Sequence, residues 1–394
     1  MAVSASYWRA ALLAVAAAAG TALYVYLSHS IAITGVGKTY TSVNTTSCHQ
    51  VGRGILQGCE DIVVDPHTGL AYLACGNLAV RQRVVQGKHD SDSSHAAATD
   101  ADHVYVMDEN DAFADIKLLQ QDDGGELVPY RQPLRLLGFD IHWDPKDPQR
   151  MTFMFINSQP GHPAVSIFAH VSGADHMVHM ETVRSELLWS PNNILATSDR
   201  SFYATNDQKH KPGLLRSVST MLRLPHGHIV HRNGTGDFSI AASGLRFPNG
   251  IAKHEDWIYV ASCGDPGVHI YQAGADGHLA RTGRTVYADG MPDNLSVDPV
   301  TGQLYSTTFL KVFDVLKSFE STPPATMQTA STRIVRLTQR SDARRGFDIE
   351  SLLVDSGELM PTASIAAIQR RNRIKRMLVG CVMCDAVVAC DAVA

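Results

Sequence analysis

Beyond about residue 30, apolar residues come in short runs, each closed by turn-forming residues, and the pattern reads as β-structure throughout. The clearest runs are 69–74, 103–107, 151–156, 201–205, 257–261 and 303–307. Several follow an Asp-Pro turn: Asp65-Pro66-His67-Thr68-Gly69, Asp144-Pro145-Lys146-Asp147 and Asp298-Pro299-Val300-Thr301-Gly302. One phrase, V-D-P-x-T-G-x-L/A-Y, occurs at Val64 and again at Val297. A turn–strand unit recurring every 45–55 residues or so is the mark of propeller blades. The length after residue 30 suits six blades of four strands, so the predicted fold is an all-β six-bladed β-propeller. A pair of β-sandwiches is the alternative, but sandwiches lack a repeated phrase at blade spacing. Helical periodicity is scarce, with one candidate at 311–319. Residues 90–102 read as a polar insertion, and 317–332 as irregular. The basic run at 370–376 reads as a solvated turn between the last two strands.

The first thirty residues break the pattern. Arg9 precedes an apolar run of about eighteen residues, 10–27, at the short end of what spans a bilayer as a helix. Arg9 favours a cytosolic N-terminus, and Tyr24 and Tyr26 suit the interface. The expected organisation is therefore a signal-anchor or transmembrane helix over 1–30 and a propeller domain over 31–394. A cleaved signal peptide, helped by the small residues at 16–20, is the alternative. Either way the domain enters the secretory pathway: membrane-anchored with a lumenal or extracellular domain, at the endoplasmic reticulum or the cell surface, or secreted. Asn44-Thr45-Thr46 and Asn233-Gly234-Thr235 are glycosylation acceptors that fit this route.

Seven cysteines leave at least one without an internal partner. Cys381-Val382-Met383-Cys384 has redox-pair spacing, yet residues 377–389 read as one strand, which points the two sulfurs to opposite faces. Buried, unpaired strand cysteines are the expectation there. A net charge of -5 and a pI of about 6.4 exclude a nucleic-acid footprint. The 18 histidines, His226, His228 and His231 among them, lie mostly in polar stretches.

Four phrases place Asn, Asp or Glu in apolar surroundings at predicted strand edges: Cys59-Glu60-Asp61-Ile62, Ala204-Thr205-Asn206-Asp207, Pro248-Asn249-Gly250-Ile251 and Pro292-Asp293-Asn294-Leu295. They are distant in sequence, but the innermost strand of every propeller blade lines one channel, where distant phrases meet. Carboxylate and amide oxygens without sulfur or imidazole suit Ca²⁺ and suit zinc or copper poorly.

These phrases resemble the serum paraoxonases and their arylesterase and lactonase relatives. The likeness is close at Phe202-Tyr203-Ala204-Thr205-Asn206-Asp207 and at Asp293-Asn294-Leu295-Ser296-Val297-Asp298-Pro299, and order and spacing agree from about Cys48 onward. The resemblance implies two calcium ions. Glu60, Asn206, Asn249, Asp293 and Asn294 would hold a catalytic ion; Asp61, Asp207 and the carbonyl of Phe139 would hold a structural one. It also implies a Cys48–Cys390 disulfide closing the ring. The implied activity is calcium-dependent hydrolysis of carboxylic esters, aryl esters among them, and lactones, with weak action on phosphotriesters.

The sequence also departs from that family. Where paraoxonases carry a histidine pair proposed to prepare the attacking water, this chain has Leu137-Gly138 and Asn157-Ser158. His142 and His162 lie nearby but are displaced by several residues. Without the pair, Glu60 or Asp293 is the expected proton acceptor. Two other readings remain: a membrane-anchored calcium-binding propeller without hydrolase activity, acting as a binding or scaffold protein, and a propeller resembling gluconolactonase or strictosidine synthase. The small-molecule ester or lactone, and the membrane through its N-terminal segment, are the expected partners; nucleic acid is not.

Overall fold

The computed structural model describes residues 5–85, 101–132, 134–159, 163–210, 214–287, 289–320, 330–340, 346–371 and 374–391. Its strands form six sheets. Their innermost strands are Asp61–Val64, Leu136–Asp144, Pro191–Ala196, Pro248–His254, Met291–Val297 and Ala363–Arg371. All six contribute side chains to one central channel of about 520 Å³. The protein is a six-bladed β-propeller.

The repeated turn phrase has a direct physical role. Asp65 Oδ1 accepts from the His67 amide (2.9 Å), Thr68 Oγ1 donates to Asp65 Oδ2 (2.6 Å), and Gly69 sits at φ 75°. Asp298, Val300, Thr301 and Gly302 repeat these contacts, with Gly302 at φ 68°. In blades one and five the phrase thus encodes the turn from the innermost strand to the second.

The ring is closed by mixing chain ends. The last blade takes its fourth strand, Cys48–Val51, from the N-terminal side, with Cys48 opposite Cys390 and Val51 opposite Val387. A Cys48–Cys390 disulfide locks this pair, as expected. Blade two is wider than the pattern predicts: the hairpin Lys117–Gln121 and Leu127–Pro129 adds in parallel beside His176–Val183, making six strands.

Four helices complete the described residues. α1 (Ala5–Thr34) contains an apolar stretch long enough to cross a membrane by length and composition. α2 (Leu78–Val85), α3 (Leu214–Met221) and α4 (Val312–Glu320) each link the second and third strands of a blade, and so lie at one end of the channel. The sequence foresees α4 but not α2 or α3. Most of the polar insertion at 90–102, and part of the 317–332 stretch, lie outside the described residues.

Two expectations need correction. Residues 377–389 are not one strand: Ile374–Cys381 and Val387–Asp391 are separate, and a disulfide joins Cys381 to Cys384 across the bend between them. The bend is fixed by tertiary contacts, the Val382 amide on the Thr362 carbonyl and the Met383 amide on Thr362 Oγ1. The basic run joins the first two strands of the final blade, not the last two, and it is not simply solvated. Arg370 pairs with Asp298, while buried Arg376 engages Asp111, Gln369 and the Asp108 carbonyl.

Candidate active site

The site is built where the inner strands slip register. Pairing shifts between Leu136 and Phe139, Pro191 and Ile194, Pro248 and Ile251, and Pro292 and Leu295. A slip of this kind re-aims side chains that a regular ladder would alternate. The first falls on Leu137-Gly138 and the other three on Asn- and Asp-bearing phrases. Two glycines allow the strands to converge: a Cβ on Gly138 would stand 2.7 Å from the Asn193 Cα, and one on Gly250 would stand 2.6 Å from the Asn294 Cα. Any larger residue there would force the inner strands apart.

One hydrogen-bonded network results. Asn294 Nδ2 donates to the Glu60 carbonyl and to Glu60 Oε1 (3.1 and 3.2 Å). Asn193 Nδ2 bridges Asn294 Oδ1 (2.8 Å) and Asp61 Oδ2 (3.1 Å), which also accepts from the Phe139 amide. Asn249 Nδ2 donates to Asp293 Oδ1. Hydroxyls staple the strands behind it: Thr205 Oγ1 on the Asn249 carbonyl (2.7 Å) and Ser364 Oγ on the Glu60 carbonyl (2.7 Å). Asn193 was missed in the sequence, although Pro191-Asn192-Asn193-Ile194 repeats the form of Pro248-Asn249-Gly250-Ile251.

Electrostatically the cluster is short of positive charge. Burial pushes the proton affinity of Glu60 up, partly offset by the Arg81 guanidinium and the Asn294 hydrogen bond. Burial, then the Glu60 charge, pushes Asp61 well above the carboxylate range. Asp293 is driven the same way by burial and by Glu60 and Asp61. Glu60 Oε2 and Asn249 Oδ1 are buried with no hydrogen-bond partner. Three mutually repelling carboxylates with orphaned oxygens beside them are the chemistry a hard divalent cation satisfies. No three His, Cys, Asp or Glu side chains among the described residues stand close enough to hold an ion unaided. Any ion here would depend on the asparagine oxygens as well.

The remaining predicted residues divide. Asn206 is fully buried beside the network, but its Oδ1 accepts from the Trp189 and Ser190 amides (2.8 and 3.1 Å), leaving Nδ2 unpartnered. Asp207 turns to Arg216 on α3 (3.0 Å). Leu137 packs apolar neighbours, and Ser158 Oγ donates to the Arg135 carbonyl (3.2 Å), so neither offers a base in a histidine's place. His142 lies lower in the channel with Trp143, Lys253 and His254, away from Glu60. His162 lies outside the described residues. Cys263, the one cysteine without a disulfide, donates to the Pro292 carbonyl, and burial pushes its thiol well up, so it offers no thiolate nucleophile.

The family model described as Arylesterase matches residues 40–391. The chain belongs to the arylesterase family. Among curated relatives, serum paraoxonase/arylesterase 2 of Gallus gallus is 27% identical over 285 residues, covering 71% of this chain and 73% of the relative. The Homo sapiens protein of that name is 27% identical over 267 residues, covering 67% and 69%. Serum paraoxonase/lactonase 3 of Rattus norvegicus is 24% identical over 337 residues, covering 85% and 86%.

One channel group of this arylesterase-family chain yields a pH prediction. Asp140 accepts from the Ala196 amide (2.8 Å), and burial pushes its pKa up to about 7. In the unfolded chain it would titrate near 3.9. The folded state therefore holds a proton that the unfolded state has lost, and this advantage fades as pH rises through about 7. Thermal melting of the metal-free protein should show stability falling as pH rises from about 4 to about 7, and Asp140→Asn should make that fall shallower.

Proposed function

We propose that this protein is a calcium-dependent hydrolase of carboxylic esters, aryl esters among them, and of lactones. The observation that carries the reading is the buried cluster of Glu60, Asp61 and Asp293, with unpartnered oxygens on Glu60 and Asn249 and with Asp61 lining the channel. Family membership supports it, since the relatives are named as arylesterases and lactonases. Glu60, Asn249, Asp293 and Asn294 would hold the ion, joined by Asn206 if its amide turns over. The ion, when bound, would supply Lewis-acid polarisation of the substrate carbonyl. The protein's own part is proton handling and shape. Glu60 keeps Oε2 without a hydrogen-bond partner, so that oxygen is placed to accept a proton from the attacking water. Asp293, held by Asn249, is the second candidate. Strained lactones and aryl esters, with good leaving groups, depend least on a strong base.

The N-terminal helix fits a retained anchor at the membrane of the secretory route. Its far end is docked: Tyr26 donates to the Met221 carbonyl (3.2 Å), and the Arg223 guanidinium lies 4.7 Å over the Tyr26 ring. Of the two glycosylation acceptors, half-buried Asn233 donates its amide to Asp237 Oδ2 (3.3 Å), and exposed Asn44 donates its amide to the Leu352 carbonyl (2.8 Å).

The deciding experiment measures phenyl acetate and δ-lactone hydrolysis with and without EGTA. Hydrolysis abolished by EGTA and restored by calcium supports the reading. A second reading, a calcium-binding propeller without catalysis, is favoured by Leu137 and Ser158 standing where the histidine pair would be. In that case calcium would raise the melting temperature while no ester or lactone was cleaved.

A further inference from the structure

We infer that Arg216 takes the place of a second calcium ion, so that the chain binds one ion and not two. The inference rests on the outer calcium site proposed above and concerns the inner one. An inner ion would need Asp61 and Asp207 to face one another across the channel, with the Phe139 carbonyl between them. The side chains do something else. Asp61 Oδ2 accepts from the Phe139 amide (3.0 Å) and from Asn193 (3.1 Å). Asp207 Oδ2 lies 3.0 Å from Arg216 Nη2, and its Oδ1 is buried without a hydrogen-bond partner.

Arg216 is firmly placed. Its Nη1 donates to Ser190 Oγ (3.0 Å). The Ser190 amide in turn donates to Asn206 Oδ1, and the Ser190 carbonyl accepts from the Asp207 amide (3.1 Å). Ser190, Asn206, Asp207 and Arg216 thus form one knot between α3 and the turn before the third blade. The Asp207 side chain is 7% exposed, and the guanidinium neutralises it from the α3 side. A divalent ion brought to Asp207 would meet that fixed positive charge a few ångströms away. At such separations like-charge repulsion weakens binding by about a hundredfold or more. Arg216 also performs the task an ion would perform there, fixing the strand end that carries Asn206.

The test counts calcium on the full chain in detergent, stripped with chelator and then titrated by calorimetry, with native mass spectrometry as a second count. The expected result is one equivalent for the wild-type chain and for Asp207→Asn. Arg216→Gln, which frees the Asp207 carboxylate, should bind a second equivalent. Arg216→Lys keeps the charge and should bind one, which guards against a merely unfolded Gln variant. Two equivalents on the wild type, one of them lost in Asp207→Asn, would overturn the inference. So would a single equivalent on both the wild type and a folded Arg216→Gln. No calcium on any variant would overturn the outer site itself, and this inference with it.

Discussion

Asp293→Asn should reduce calcium-dependent hydrolysis of phenyl acetate and δ-lactones by about a thousandfold or more, because it removes a charged ligand at the point where the substrate carbonyl must be polarised. The substitution keeps an oxygen to accept from Asn249 Nδ2, so the fold has no reason to fail. Indeed Asp293 is a strained carboxylate without an ion, buried and repelled by Glu60 and Asp61. In EGTA the variant should therefore melt no lower than the wild type. In calcium the two should part: the wild type gains stability in proportion to its affinity, about 4 kcal/mol at a thousandfold excess over Kd, and the variant gains little. Asp140→Asn is the control, a channel carboxylate outside the network that should keep its activity. If Asp293→Asn hydrolyses as the wild type does, the cluster is not the catalytic centre.

Glu60→Gln separates two roles. It keeps an acceptor for Asn294 but loses both the charge and the free proton-accepting oxygen. Loss of a general base alone costs on the order of 10²–10⁴-fold. A fall that is shallow for activated aryl esters and steep for unactivated esters would mark Glu60 as the base. An equal fall for both would mark it as a ligand only.

The parts legible in the sequence were those with local causes. Asp65 and Asp298 write their turns through their own side chains, so the blade repeat could be read directly. The acidic phrases were visible because Asn and Asp stood among apolar residues. What escaped depended on partners far away in sequence. Cys59 pairs with Cys75 only because the two strands lie side by side. The bend between Cys381 and Cys384 carries no glycine or proline, and Thr362, in the turn before the strand Ala363–Arg371, makes it. Asn193 matters because Asp61 and Asn294, 132 and 101 residues away, converge on its amide. The pairing of Asp207 depends on Arg216, from a helix whose periodicity the sequence hid in a polar loop.

Closure of the ring supplies the other large effect. Cys48–Cys390 spans 342 residues, so its removal frees nearly the whole chain in the unfolded state. The chain-entropy estimate is on the order of 5 kcal/mol. Without the bond, Cys48–Val51 is held to the last blade through four residue pairs, Cys48 to Val51 opposite Cys390 to Val387. Each backbone hydrogen bond adds about 1 kcal/mol net, and ordering each residue costs about as much. The strand by itself is thus near balance, and the disulfide decides whether the ring stays shut. Cys48→Ser with Cys390→Ser should lower the melting temperature by roughly 10 °C in EGTA, taking about 2 °C per kcal/mol for a chain of this size. Calcium should recover much of that loss. Asn294 in blade five reaches Glu60 in blade one past the inner strand of blade six, and an ion shared by the two would fasten the same closure from inside. Melting with and without calcium measures both. If the double variant melts with the wild type in EGTA, the strand pairing alone closes the propeller. If calcium fails to recover it, the cluster does not tie blade one to blade five.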